Sequence, residues 1–250
     1  MKYNLCISIP IKYTSIKEVT PIIDKAIKSK PNLIELRFDY ISKIKTLNQD
    51  FVRDLLNIIH PHVAVIFTLR DSSEGGQLKI HPKERFKILK MFIETKPDYL
   101  DIEMNTDKNV LAQTINLTYQ NEVKIIFSYH NYEKTINFHE SIKLIQDFNE
   151  KLTQELFLDS KKLEKNIYKV IFTAQNFEDN IIPLRLCKYF SNSPQKLISF
   201  CMGPVGIFSR IMCVTVGSFL TYASLEEKTA PGQINIDEMR EIYHLFPNFL

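Results

Sequence analysis

Eight short runs rich in Ile, Val, Leu, Phe and Tyr recur along the 250-residue chain, most of them followed by a stretch of helical periodicity. This alternation constrains the fold more than any other feature of the sequence. The runs are Asn4–Ile9, Leu33–Phe38, Val63–Leu69, Tyr99–Glu103, Lys124–Ser128, Tyr168–Thr173, Leu197–Cys201 and Phe219–Ala223. They do not alternate strictly between apolar and polar residues, as expected of parallel strands covered on both faces. Segments such as Val52–Ile59, Lys83–Ile93 and Ser141–Leu152 carry apolar residues three and four apart, the stripe of a helix lying on a sheet. The starts recur at intervals of about 30 residues for most of the chain, the size of one βα unit. Eight such units in a chain of this length predict an α/β fold, a (β/α)8 TIM barrel, as a single domain over residues 1–250. The rival is an open doubly wound sheet. The fingerprints that usually accompany it, G-x-G-x-x-G and G-x-x-x-x-G-K-[ST], are absent from the sequence. The longest gap, Ser128 to Tyr168, holds helical patterns around Phe138–Glu150 and Thr153–Glu164 and predicts a crossover helix plus an extra turn or helix.

Composition removes other classes. A hydrophobic fraction of 44% with 24% charged residues is that of a globular domain, and excludes disorder, collagen and a disulfide scaffold. A formal charge of +3, scattered along the chain, gives no footprint for nucleic acid. Cys6, Cys187, Cys201 and Cys213 lie far apart with no Cys-x-x-Cys, so they read as free thiols of a reducing compartment. Asn4 and Pro10 interrupt the first apolar run before it reaches signal-peptide length, which predicts a cytoplasmic protein. From Leu197 to Leu225 the sole charge is Arg210. Gly203-Pro204 and Gly217-Ser218 cut that stretch into strand-sized and helix-sized pieces, so it reads as strand, helix, strand and not as a membrane span.

In a barrel of this kind reactive groups sit at the C-terminal ends of the strands and in the loops that follow. Polar residues crowd into those positions. Glu35, Arg37 and Asp39 are two apart and share one side; they form either a Glu–Arg pair filling a barrel layer or contacts to a substrate. Arg70 and Glu74 stand at the mouth of the third run, before Gly75-Gly76, an adjacent pair in a chain with six glycines. Asp101 and Glu103 alternate in the fourth run, without the companions that would complete a metal site. Among six histidines, His130 alone ends a predicted strand, while the other five read as solvated or capping. Lys169 lies inside the sixth run. Either it points into a polar cavity, where desolvation disfavours the ammonium and frees a nucleophilic amine able to form a Schiff base, or it snorkels into water from the strand's start. Arg210 needs an anion, and a substrate carboxylate would serve.

Taken together, these residues resemble the type I 3-dehydroquinase family (type I 3-dehydroquinate dehydratases). The resemblance runs nearly end to end. It is carried by Glu35-Leu36-Arg37-x-Asp39, Phe67-Thr68-x-Arg70-x3-Glu74-Gly75-Gly76 and Ser128-x-His130-x4-Thr135, then by Lys169 in its strand. Met202-Gly203-x2-Gly206-x2-Ser209-Arg210, Gly217-Ser218 and Ala230-Pro231-Gly232-Gln233 complete it. The resemblance implies a (β/α)8 barrel that dehydrates 3-dehydroquinate to 3-dehydroshikimate by syn elimination through a lysine Schiff base, with neither cofactor nor metal. It implies Lys169 as the amine, His130 as general base and then acid, and Glu74 as the group orienting His130. Arg210 would clamp the substrate carboxylate. Ser8, Glu35, Arg37, Arg70, Met202, Thr229 and Gln233 would hold and cover the rest of the substrate. A homodimer is implied as well. Thr229 stands where Ser is usual, Tyr222 where Phe is common, and the His130-to-Lys169 segment is longer than in typical bacterial members. The chain reads as a stand-alone enzyme. A class I aldolase would share Lys169 but would more often need a phosphate site after the last two strands, and a metabolite-binding barrel would share only the pocket.

Overall fold

The computed structural model describes residues 3–156 and 166–245. Its strands are β1 (Leu5–Pro10), β2 (Leu33–Arg37), β3 (Ala64–Thr68), β4 (Tyr99–Glu103), β5 (Lys124–His130), β6 (Ile167–Thr173), β7 (Lys196–Met202) and β8 (Thr221–Ala223). All neighbours are parallel, in the order β7-β6-β5-β4-β3-β2-β1-β8, which bends the sheet into a barrel. No ladder joins β7 to β8 among the described residues. The seam carries a hydrogen bond from the Phe219 N–H to the Leu197 carbonyl, 2.7 Å. The helices that return the chain are α1 (Ile16–Lys28), α2 (Gln49–Ile59), α3 (Pro82–Glu94), α4 (Lys108–Gln120), α5 (Phe138–Glu150), α6 (Ile181–Phe190), α7 (Ile207–Met212) and α8 (Ile236–His244).

The expected barrel is therefore present, with small shifts at the element ends. The fifth run stops at Ser128, whereas β5 continues to His130, because its last side chains face a polar cleft and so break the apolar pattern. The eighth run starts at Phe219, whereas β8 starts at Thr221, since Phe219 spends its N–H on the seam. Phe38–Tyr40 forms a short turn that ends β2 and brings Asp39 back onto Arg37. Beyond α5 the chain makes one π-helical turn, Lys151–Glu155; residues 157–164 of the second predicted helix lie outside the described residues. The Leu197–Leu225 stretch is β7, α7 and β8, and no described helix is long and apolar enough to cross a membrane.

Side chains cap the starts of several helices. Asn137 caps α5 in a reciprocal capping box with Glu140, and Asp107 accepts the Asn109 and Val110 N–H groups at the start of α4. His81 precedes Pro82 at the start of α3 and accepts the Lys83 N–H, the capping role read for it above. Alternation along the strands divides the two faces. Phe67 of β3 packs edge-on against Phe92 of α3 at 5.3 Å, and Phe127 of β5 against Phe148 of α5 at 5.0 Å. The residues between these, Thr68 and Ser128, turn into the barrel, where burying each apolar neighbour on the outer face contributes roughly 1.5–3 kcal/mol and holds the strand's orientation.

Candidate active site

The inward positions of β2 to β6 carry polar and charged side chains at a depth where an apolar layer would ordinarily lie. Strand register sets Thr68 beside Asp101 and Ser128 beside Lys169. Lys169 is the third residue of β6 and 5% exposed, which excludes the solvated strand-start reading. Its ammonium donates to Asp101 Oδ2 at 3.0 Å and lies 3.5 Å from Glu35 Oε1. The face of the Tyr222 ring closes a further side, with Nζ 4.5 Å from the centroid.

Each carboxylate here is satisfied by more than the lysine. Glu35 accepts from Ser8 Oγ at 2.6 Å and Thr68 Oγ1 at 2.9 Å. Asp101 accepts from Ser128 Oγ at 2.6 Å and pairs with the Arg70 guanidinium at 2.9 Å. Burial works against its charge, but Arg70 and Lys169 outweigh it and hold the Asp101 carboxyl well below the usual carboxylate range. Arg70 also donates to Glu103 at 2.7 Å, and Glu103 takes a second charged bond from Arg85. The acids at Asp101 and Glu103 are thus spent on cations. Arg37 does not pair with Glu35: Asp39 takes its guanidinium in a fork of two 2.8 Å bonds.

His130 ends β5 with its backbone N–H and Nδ1 both on Glu74 Oε2, at 2.9 and 3.0 Å. Among the described residues Nε2 has no hydrogen-bond partner, and His130 lines the cleft. Burial, reinforced by the Arg70, Lys169 and Arg37 charges, holds the imidazole well below its ordinary value, so it is neutral. Burial likewise pushes Glu74 up to about 8, against the pull of Arg70 and with Glu103 and Asp101 adding to it. Both shifts act against an ion pair across this contact. Oε2 accepts both N–H donors of residue 130, and the other carboxyl oxygen, Oε1, accepts from the Asn105 amide at 3.5 Å.

This has a measurable consequence. Between pH 4.5 and about 8 the folded Glu74 keeps a proton that an unfolded one has lost, so its contribution to stability falls as pH rises through that window. Compared with Glu74→Gln, which is neutral throughout, the parent's melting temperature is expected to drop between these two pH values. A constant difference between the two proteins would show that Glu74 is ionised when folded.

On the far wall Arg210 of α7 is 1% exposed, with its guanidinium 4.4 Å from the Phe200 ring centroid and one Nη donating to the Pro231 carbonyl at 3.2 Å. Its Nε is buried without a partner, and no described carboxylate pairs with it; burial lowers it to about 10. Thr229 and Gln233 bond to each other across the Ala230–Gly232 turn, where Gln233 Oε1 accepts the Thr229 N–H at 2.7 Å and Nε2 donates to Thr229 Oγ1 at 3.0 Å. Gly232 has φ +75°, and a Cβ there would meet the Gly203 carbonyl oxygen at 2.4 Å. The two loops can interlock only because residue 232 has no side chain.

Of the predicted residues, Lys169, His130, Glu35, Arg37, Arg70, Met202, Arg210, Thr229 and Gln233 line one cleft with about 400 Å3 of empty space. Ser8 and Glu74 do not line it, and touch it through Glu35 and His130. Sequence reasoning gave no role to Asp101, Ser128, Tyr132 or Phe200. The first two were legible as polar residues at inward strand positions. Tyr132 was not, since it reaches the cleft by lying over Gly75, where a Cβ would come within 2.0 Å of its hydroxyl.

Parallel strands curled into a nearly closed barrel, with reactive groups gathered at their C-terminal mouth, define a (β/α)8-barrel enzyme. The model of the type I 3-dehydroquinase family matches residues 6–248, and the chain belongs to that family. Membership makes it a hydro-lyase of the 3-dehydroquinate dehydratase class. It is 30% identical to the 3-dehydroquinate dehydratase of Pyrococcus abyssi over 229 residues, 91% of this chain and 92% of that one. Over 224 residues it is 28% identical to the Thermococcus onnurineus 3-dehydroquinate dehydratase, 90% of this chain and 92% of that one. Among solved structures, the Aquifex aeolicus 3-dehydroquinate dehydratase superposes with a TM-score of 0.76 at 25% identity, covering 98% of this chain and 99% of that one. The Geobacillus kaustophilus enzyme shares the fold, with a TM-score of 0.82 at 22% identity over 98% of this chain and 91% of that one.

Proposed function

We propose that the chain removes water from 3-dehydroquinate by syn elimination, giving 3-dehydroshikimate, through a Schiff base on Lys169 in the shikimate pathway of aromatic amino acid biosynthesis. The observation that carries this reading is one cleft lined by both a buried lysine and a buried arginine without a carboxylate. Such a pair suits a small molecule with a ketone at one end and a carboxylate at the other.

The steps balance within the cleft. Lys169 passes one ammonium proton to His130 and attacks as the amine; its surplus proton and then the one held by His130 both go to the ketone oxygen, which leaves as water when the lone pair on nitrogen forms C=N. The iminium makes the adjacent C–H acidic enough for a neutral imidazole. His130 Nε2 takes that proton, and the C–H electron pair forms the enamine. The enamine expels the β-hydroxyl, which leaves as water with the proton from His130. A water then adds to the conjugated imine and releases Lys169. Glu74 orients His130 by holding Nδ1–H, so that Nε2 is the free nitrogen. Arg210 clamps the carboxylate. Glu35, Arg37 and Arg70 hold hydroxyls, with Ser8 steadying Glu35, and Met202, Thr229 and Gln233 cover the substrate.

A homodimer in the cytoplasm belongs to the same proposal; four buried free thiols support the compartment, and sedimentation tests the dimer. The reading is tested by incubating the enzyme with 3-dehydroquinate and sodium borohydride, then mapping the adduct by mass spectrometry. A reduced adduct on Lys169 is expected, and its absence in folded, active enzyme would overturn the Schiff base. Arg210→Met is expected to raise KM on the order of a hundredfold by removing a desolvated charged contact. It should leave the melting temperature equal or higher, since an unpaired buried cation is removed. Unchanged KM would take Arg210 out of substrate binding.

A further inference from the structure

Asp101, Glu35 and the Tyr222 ring enclose Lys169 Nζ, and they do not respond alike when that nitrogen becomes an imine. An ammonium has three N–H bonds, enough for both carboxylates, at 3.0 Å to Asp101 and 3.5 Å to Glu35. A protonated imine is planar and keeps one N–H, so it can hold one of these acceptors at most. The attraction of a cation to an aromatic face needs no N–H and no particular direction. From this we infer that Tyr222 is a further catalytic residue, whose ring face stabilises the positive charge on the Lys169 nitrogen through the change from ammonium to iminium. The inference rests on the Schiff-base reading above.

Other features of Tyr222 agree with a role for the ring and not for the hydroxyl. Strand β8 is three residues long, and pairing of Tyr222 with Cys6 of β1 fixes the backbone that aims the ring inward. The residue is 4% exposed and lines the cleft, so little water competes for the cation. Its hydroxyl is buried with no hydrogen-bond partner among the described residues, and hence contributes no directed bond to the lysine or its carboxylates. Burial, with Glu35 adding to it, pushes the phenol well up, so the ring is the neutral phenol and its face keeps the ordinary quadrupole.

The test alters the ring's electrons and leaves its shape. Position 222 is made Phe, then replaced in turn by mono-, di- and trifluorinated phenylalanine, each of which weakens the negative face a little further. Single-turnover imine formation is followed by borohydride quenching and intact mass. Tyr222→Phe is expected within about threefold of the parent, and the rate constant should then fall steadily with fluorination, by about tenfold in total. Tyr222→Met, apolar and flexible but without a π face, should fall with the trifluorinated protein, and melting curves report its folding. A flat fluorine series would overturn the inference while leaving the Schiff base standing, because the parent would still be trapped. Failure to trap the parent would instead overturn the Schiff-base reading and this inference with it.

Discussion

Lys169→Ala is expected to lose covalent capture by borohydride altogether and to lower turnover on the order of 10^4-fold or more, since no other group in the cleft can become an electron sink. The mutation also removes a buried cation from between Asp101 and Glu35. Asp101 retains Arg70 and Ser128, and Glu35 retains Ser8 and Thr68, so the folded state survives with a stability loss of roughly 3 kcal/mol. Melting curves separate that loss from the chemical one. Persistent labelling at another lysine would assign the amine elsewhere. A class I aldolase would be trapped at the same lysine with a different ketone, so the substrate used in trapping distinguishes the two chemistries.

His130→Ala divides the reaction. The imine should still form, slowly, and should accumulate as a trappable adduct, while dehydration falls by about 10^2 to 10^4-fold. Glu74 keeps its bond to the backbone N–H of residue 130, so the loop stays placed and the loss belongs to the imidazole. In the parent the imidazole is held well below its ordinary value of 6.5 by burial, then by Arg70, Lys169 and Arg37. The acid limb of kcat should accordingly lie well under pH 6.5. Turnover unchanged in the variant, or a limb at the ordinary histidine value, would remove His130 from the proton steps.

Much of this was legible in the sequence because burial on two faces leaves a pattern. The apolar runs mark the strands, and charges inside them need a partner or a polar cavity, which is how Glu35 and Lys169 stand out before any coordinates, as Arg210 does by being the sole charge between Leu197 and Leu225. What was not legible is partnership. Arg37 and Glu35 sit two apart and read as a pair, yet the turn Phe38–Tyr40 folds Asp39 onto Arg37 and releases Glu35 to the lysine. Asp101 and Glu103 read as an acidic pair without partners because the cations that neutralise Asp101 come from β6 and from the loop after β3, distant in sequence. Strand ends drifted for a related reason: His130 and Phe219 are spent on the cleft and the seam, where the apolar pattern no longer governs.

The barrel is in one respect a curled sheet whose edge strands, β7 and β8, are joined by no ladder among the described residues. Strand β7 carries Phe200 and Met202, β8 carries Tyr222, and the loop after β8 carries Thr229 and Gln233, so the gap divides the cleft lining itself. A seam of this kind is compliant where a full ladder is stiff, because sliding β8 along β7 breaks few backbone bonds. Amide exchange should be faster in β7 and β8 than in the strands laddered on both sides. The cleft thus has one wall built on a strand pair without a ladder among the described residues, and another, carrying Lys169, on a strand laddered on both flanks.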